Sequence, residues 1–187
     1  IPASRFKDFL GDAPALRRAL PERPYRQSRL GTAFHSWVEQ RSGIVGAGVS
    51  LEDALWDDDD ANPAADVPSA STPADLAQLQ ERFLASEWAS LRPLEVETEI
   101  DVTIDDALGD GRAHVVICKL DAVYRRGDRI EIVDWKTGRA PRTAAEREER
   151  MIQLRLYREA YHARHGIPRE QIDVVLFYVA EGLILRD

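Results

Sequence analysis

The chain has 187 residues, 44% of them hydrophobic, and a formal net charge of −8; that length can bury a core without covalent staples, and it reads as one domain. Its single cysteine, Cys118, excludes an internal disulfide framework and any four-cysteine zinc or iron–sulfur site. The sequence holds neither a secretory leader nor an apolar run near the roughly 20 residues of a membrane span. The lone cysteine fits a reducing, cytoplasmic setting, which is the expectation, and the start at Ile1 rather than Met reads as a piece of a longer protein.

"PASRFKDFL" predicts a short amphipathic helix, and the three prolines of "PALRRALPERPYRQSRL" predict a helical turn and a loop. "GTAFHSWVEQRSG" predicts a helix over about Thr32 to Arg41, because Phe34, Trp37, Val38 and Arg41 recur at i, i+3, i+4 and i+7. Residues 43–73 mix Gly, Pro, Ser, Ala and Asp and read as a loose acidic insert, with "DDDD" at 57–60 a solvated loop. "TPADLAQLQERFLASEW" places Leu76, Leu79, Phe83 and Leu84 at helical spacing.

The pattern changes at Pro93, where residues 93–187 become the expected core. "LEVETEIDVTID" alternates apolar and polar with period two, as a half-buried strand does. "AHVVICKLDAVYRR" predicts a more apolar second strand, and "IEIVDWKTG" a third, joined through Gly127-Asp128 as a tight hairpin. "TAAEREERMIQLRLYREAYHARHG" predicts a long helix stopped by Gly166 and Pro168. "IDVVLFYVA" reads as a buried strand, with "GLILRD" a candidate hairpin partner. Helices, three strands, a helix and one or two further strands predict an α/β fold, a mixed sheet flanked by helices.

A total of −8 argues against a nucleic-acid partner, but the charge is uneven. Residues 51–66 hold seven acids and no base, and without them the chain is close to neutral. Residues 17–30 hold five Arg against one Glu, and residues 136–169 nine Lys or Arg against four Glu. A polyanion responds to such local surpluses more than to the total.

Within the third strand Asp134 and Lys136 point to one side and Trp135 to the other. Asp121 sits in the neighbouring strand of the hairpin. Two carboxylates held together in apolar strands repel unless a cation joins them, and a hard ion with oxygen ligands, Mg²⁺ or Mn²⁺, meets that need. Acid, acid and lysine about a divalent ion are the equipment of phosphodiester hydrolysis, since the ion activates water and clamps phosphate oxygens. The competing reading is a buried structural salt bridge, which an isolated Asp-X-Lys would favour.

"LDAVYRRGDRIEIVDWKTG" resembles the core of RecB-like nucleases in the PD-(D/E)XK superfamily. "GTAFHSWVE", "QLRLY", the opening "IPASRFKDF" and the closing "VVLFYVAEG" match further pieces in order, across nearly the whole chain. The resemblance implies a restriction-endonuclease-like mixed β-sheet core flanked by helices. It implies that His35, Asp121, Asp134 and the backbone carbonyl of Trp135 bind Mg²⁺ or Mn²⁺ and that Lys136 is catalytic, acting with both acids. Gln153 and Tyr157 would border the site and steady the substrate strand or Lys136. Lys119 stands where many members carry Gly or Arg, which is not expected to matter. With one cysteine, this chain belongs with relatives that hold no iron–sulfur cluster. The implied partners are single-stranded DNA and a bacterial helicase motor, in the same chain or complex, that processes DNA ends in repair and recombination. The alternative is a catalytically silent, nuclease-like DNA-binding or structural module of a helicase.

Other residues are read as ordinary. Gln153 and Tyr157 share a helix face at the edge of a stripe formed by Ile152, Leu156 and Ala160. Arg147, Arg150, Arg155 and Arg158 fit either a solvated face or phosphate contacts. Glu97 and Glu99 share one face of the first strand and are taken as solvated positions rather than extra ligands. Cys118 is expected to be a core thiol.

Overall fold

The computed structural model describes residues 1–10, 26–44 and 73–187. The loop expected before Gly31, up to residue 25, and nearly all of the 43–73 insert with its "DDDD" run lie outside these residues. After a short 3-10 helix at Ala3–Phe9 come helices α1 (Arg26–Ser42) and α2 (Pro73–Leu84) and strands β1 (Glu95–Asp105), β2 (Ala113–Arg126) and β3 (Arg129–Lys136). Helix α3 (Ala144–His165), a 3-10 turn at Arg169–Gln171, and strands β4 (Ile172–Tyr178) and β5 (Leu183–Arg186) complete the order.

The five strands form one mixed sheet in the order β1-β2-β3-β4-β5. All neighbours are antiparallel except β3 and β4, which are parallel and joined by α3 as the crossover. Gly127 opens the two-residue β2–β3 turn with φ 65, a backbone angle that costs glycine nothing. Thr143 caps α3: its hydroxyl accepts from the Glu146 N–H while the Glu146 side chain accepts from the Thr143 N–H. Gly166 ends the helix in the left-handed conformation, its N–H donating to the His162 carbonyl.

Each sheet face carries its own apolar cluster. Helix α3 and the first 3-10 helix cover one, in which Leu154, Ala160, Ile132, Val174 and Leu176 are fully enclosed. Helices α1 and α2 cover the other, with Phe34, Val38, Leu79 and Phe83 against Val133, Trp135 and Val175. Trp135 is the hub of the second cluster, its ring centroid 5.2 Å from Phe83 and 5.3 Å from Trp88.

Three details depart from the sequence reading. Helix α1 begins at Arg26, a turn and a half before Thr32. Helix α2 stops at Leu84 rather than running to Trp88. Beyond it the Ser86 hydroxyl donates to the Phe83 carbonyl at 2.6 Å, and the turned chain brings Trp88 into the core with its indole N–H on Glu131. The third departure is in β1, which does not keep one alternation throughout. Ile100, Val102 and Ile104 pack in the α3 cluster, whereas Val96 packs in the opposite one. β2 does the same: Val116, Cys118 and Leu120 face α3, but Ala122 and Tyr124 face away. Both strands change phase at one place, where Glu97 adopts φ 46, a left-handed angle uncommon for a side-chain-bearing residue. Among the described residues, no helix is long and apolar enough to cross a membrane.

Candidate active site

The place where β1 and β2 change phase is also where the sheet opens. The β1–β2 ladder lapses between Val96↔Ala122 and Thr98↔Leu120, and the β2–β3 ladder ends at Ala122↔Val133. Carrying both registers forward sets Glu97, Asp121 and Asp134 in one row across three adjacent strands. All three side chains are buried.

Asp121 bridges the opening: its Oδ2 accepts the Trp135 backbone N–H at 2.6 Å. His35 enters from α1, with Nε2 3.1 Å from the Trp135 carbonyl oxygen. Its Nδ1 lies 3.5 Å from both Asp121 Oδ1 and Glu97 Oε1. Gly31, one helical turn earlier on the same face, explains how α1 comes so near. A Cβ there would stand 3.2 Å from Thr137 Oγ1, tighter than ordinary contact. The "GTAFH" string is thus a close-approach residue followed by the side chain it delivers.

Asp134 faces the α3 side. Its Oδ2 is 3.1 Å from Lys136 Nζ. Its Oδ1 accepts from the Tyr157 hydroxyl at 3.1 Å and the Gln153 amide at 3.3 Å, and the same amide donates to the Tyr157 oxygen at 2.6 Å. Gln153 and Tyr157 are not at the rim of the helix stripe; both are fully buried. Their polar groups are tolerable there because Asp134 needs donors and they lie one turn apart beside it.

The electrostatics follow from crowding. Burial, with the Asp134 and Glu97 carboxylates adding to it, raises the Asp121 carboxyl well above the usual range; His35 and Lys136 oppose this without cancelling it. Burial would also raise Glu97, but its contacts with His35 and with Lys119 Nζ, 3.1 Å away, hold it below its ordinary value. Burial and the nearby Asp134 charge push the Tyr157 hydroxyl well up, so it stays a donor.

The donor set fits a hard divalent ion. His35, Glu97 and Asp121 each offer a ligand atom, all within 4.8 Å of one another. Carboxylate oxygens, a carbonyl and one imidazole are Mg²⁺- and Mn²⁺-type ligands.

Helix α1, the hairpin and α3 therefore bring together His35, Asp121, Asp134, Trp135, Lys136, Gln153 and Tyr157. Glu99 is exposed, as read from its strand position, but Glu97 is not: it is buried beside His35. The reading failed because strict alternation places both on one solvated face, and the positive φ at Glu97 breaks that alternation. Its position opposite Asp121 was the available signal. Arg155 pairs with Glu148 at 2.7 Å and Arg158 with Asp187 at 2.8 Å, so these two are largely neutralised. Cys118 is a core thiol, pushed up to about 12 by burial.

The family model described as the PD-(D/E)XK nuclease superfamily matches residues 6–185. No curated protein matches the chain.

Proposed function

This chain belongs to the PD-(D/E)XK nuclease superfamily, and from that premise we propose that it is a RecB-like, Mg²⁺- or Mn²⁺-dependent deoxyribonuclease domain. It acts within a bacterial helicase or helicase–nuclease that processes DNA ends in repair and recombination. The observation that carries the reading is the buried pair of Asp121 and Asp134 on adjacent strands, with Lys136 at 3.1 Å from Asp134 and His35 at 3.5 Å from Asp121.

In this reading His35, Asp121, Asp134 and the Trp135 carbonyl hold the ion. Such an ion supplies a water of lowered pKa and neutralises phosphate charge. The protein's own part is placement. Asp121 ties β2 to the Trp135 N–H and so fixes the carbonyl of the same residue. Gln153 and Tyr157 fix one oxygen of Asp134 and leave the other toward Lys136. Lys136 Nζ, buried in the same cleft, meets the negative charge that grows on the phosphate oxygens as water adds to phosphorus and the bond to the leaving oxygen breaks.

Single-stranded DNA delivered by a motor is the substrate we assign. A chain of net charge −8 holds a polyanion weakly by itself, and two arginines of α3 are tied to acids. The test is cleavage of labelled single-stranded DNA with Mn²⁺, with Mg²⁺ and with EDTA, for wild type and Asp134→Ala. Metal-dependent cutting lost in Asp134→Ala is the expected result. A wild type that neither cuts nor binds either ion would overturn it.

A further inference from the structure

We propose that Arg139, Arg142 and Arg147, on the loop after Lys136 and the first turn of α3, grip the sugar–phosphate backbone of the DNA strand beside the nucleotide being cut. The inference rests on the nuclease reading above and adds a binding ledge outside the metal cluster. Arg139 is three residues beyond Lys136, so its Cα lies within about 11 Å of that residue's. The backbone that carries the arginines is pinned. The Ala140 N–H donates to Glu181 Oε1 at 2.8 Å, and Pro141 fixes its own φ. The Arg142 and Thr143 N–H groups donate to Glu146 Oε2 at 2.6 and 3.1 Å. A ledge already ordered loses little freedom when a strand docks on it.

The charges on this ledge are not spent on the protein itself. Further along α3 and beside it, Arg155, Arg158, Arg169 and Arg129 each meet a carboxylate. Among the described residues Arg139, Arg142 and Arg147 form no salt bridge, and all three are exposed. Acids are interleaved with them but turn elsewhere. Glu146 is bent back onto the backbone, Glu148 is held by Arg155 at 2.7 Å, and Glu149 faces Lys7 at 3.9 Å. Glu146 still feels Arg139 and Arg142 and offsets part of their charge. What remains is a local positive surplus in a chain of net charge −8. Arg142 and Arg147 also line a groove of about 680 Å³ between the start of α3 and β5, with Arg155, Arg186 and Ile184. Guanidinium groups suit phosphate oxygens, which they can hold through two parallel N–H donors. The competing role is that of ordinary solvated charge.

The two roles separate in the salt dependence of DNA affinity, read without cutting. A labelled single strand is titrated in EDTA, at several salt concentrations, with wild type and with a triple variant carrying Arg139→Ala, Arg142→Ala and Arg147→Ala. A control removes the same charge from exposed Arg82, Arg92 and Arg112. Each phosphate contact contributes about 0.7 to the slope of log affinity against log salt on a single strand. The triple variant is expected to lose about 2 from that slope and about 10-fold or more in affinity at low salt, equally for two unrelated sequences, and the control much less. If the triple variant does not fold, the three single substitutions replace it, each expected to lose about 0.7. Wild-type slope and affinity in the folded variant overturn the ledge, as does an equal loss in the control. A wild type that does not hold the strand at low salt overturns it too. Mn²⁺ titrated calorimetrically into the same proteins keeps the readings apart, and the triple variant is expected to bind the ion as wild type does. When wild type binds Mn²⁺ and cuts but the triple variant holds DNA unchanged, the nuclease reading stands without the ledge. A wild type that neither binds Mn²⁺ nor cuts overturns the nuclease reading, and with it the assignment of the ledge to a cut strand.

Discussion

Asp121 accepts the backbone N–H of Trp135 at 2.6 Å, across the gap where the β2–β3 ladder ends. A side chain thus does the work of a missing ladder bond, in a buried place it shares with the Asp134 and Glu97 carboxylates. Ordinary aspartate titrates near about 3.9, and in the fold Asp121 is raised by burial and by Asp134 and Glu97. Between the two values the folded protein keeps a proton that the unfolded chain releases. Metal-free stability attributable to Asp121 therefore falls as pH rises through that window and stays lower above it. Urea midpoints in EDTA across mildly acidic to neutral pH should show this slope, and Asp121→Asn should flatten it. An identical slope in the variant would refute the assignment.

Lys136 and Asp134 separate chemistry from metal holding. Lys136→Ala is expected to lower the cleavage rate by about 10²–10³-fold with Mn²⁺ affinity kept or raised, because the lysine's charge opposes a cation. Asp134→Ala is expected to lose both. Single-turnover cleavage beside calorimetry reads the two quantities, and loss of metal affinity in Lys136→Ala would contradict the division.

Tyr157 donates to Asp134 Oδ1 and receives the Gln153 amide. Tyr157→Phe removes one donor to a buried carboxylate and leaves the ring's packing. The expected cost is about 10-fold in turnover, with a weaker change in DNA affinity. Should the variant instead lose DNA binding at unchanged turnover, Tyr157 would be a strand contact and not a support for Asp134.

Glu131 is a stability centre at the other end of β3. Its carboxylate accepts from the Trp88 indole at 2.7 Å, from Arg126 at 3.1 Å and from Arg186 at 2.6 Å, and both arginines also reach Glu87. Glu131→Ala leaves a buried indole N–H and two guanidinium groups without this acceptor. Because both arginines are partly solvated, the loss is placed at about 2–3 kcal/mol. Urea denaturation checks it; a loss below about 0.5 kcal/mol, ordinary for a surface substitution, would show that the network is decorative.

Much of this was legible in the chain. β2 and β3 announce themselves by apolar runs around a Gly-Asp turn, and Asp134, Trp135 and Lys136 alternate as a strand must. Gln153 and Tyr157 are legible as one helix face because four residues make about one turn. What escaped depended on three-dimensional context. Glu97 looked solvated because its neighbours alternate, and nothing local signals a left-handed glutamate. The burial of Gln153 and Tyr157 depended on where Asp134 would sit relative to α3. The end of α2 was missed because helical propensity continues past Leu84, whereas the indole of Trp88 finds its acceptor, Glu131, 43 residues further on.

The shared phase change of β1 and β2 makes the hairpin a ruler. An added or deleted residue between Glu97 and Asp105 would either turn Ile100, Val102 and Ile104 out of their core or slide Glu97 past Asp121. The same holds between Ala113 and Asp121. Residues 106–112, at the tip, lie beyond both measured lengths, so this is where the hairpin can grow or shrink while its arms keep their count.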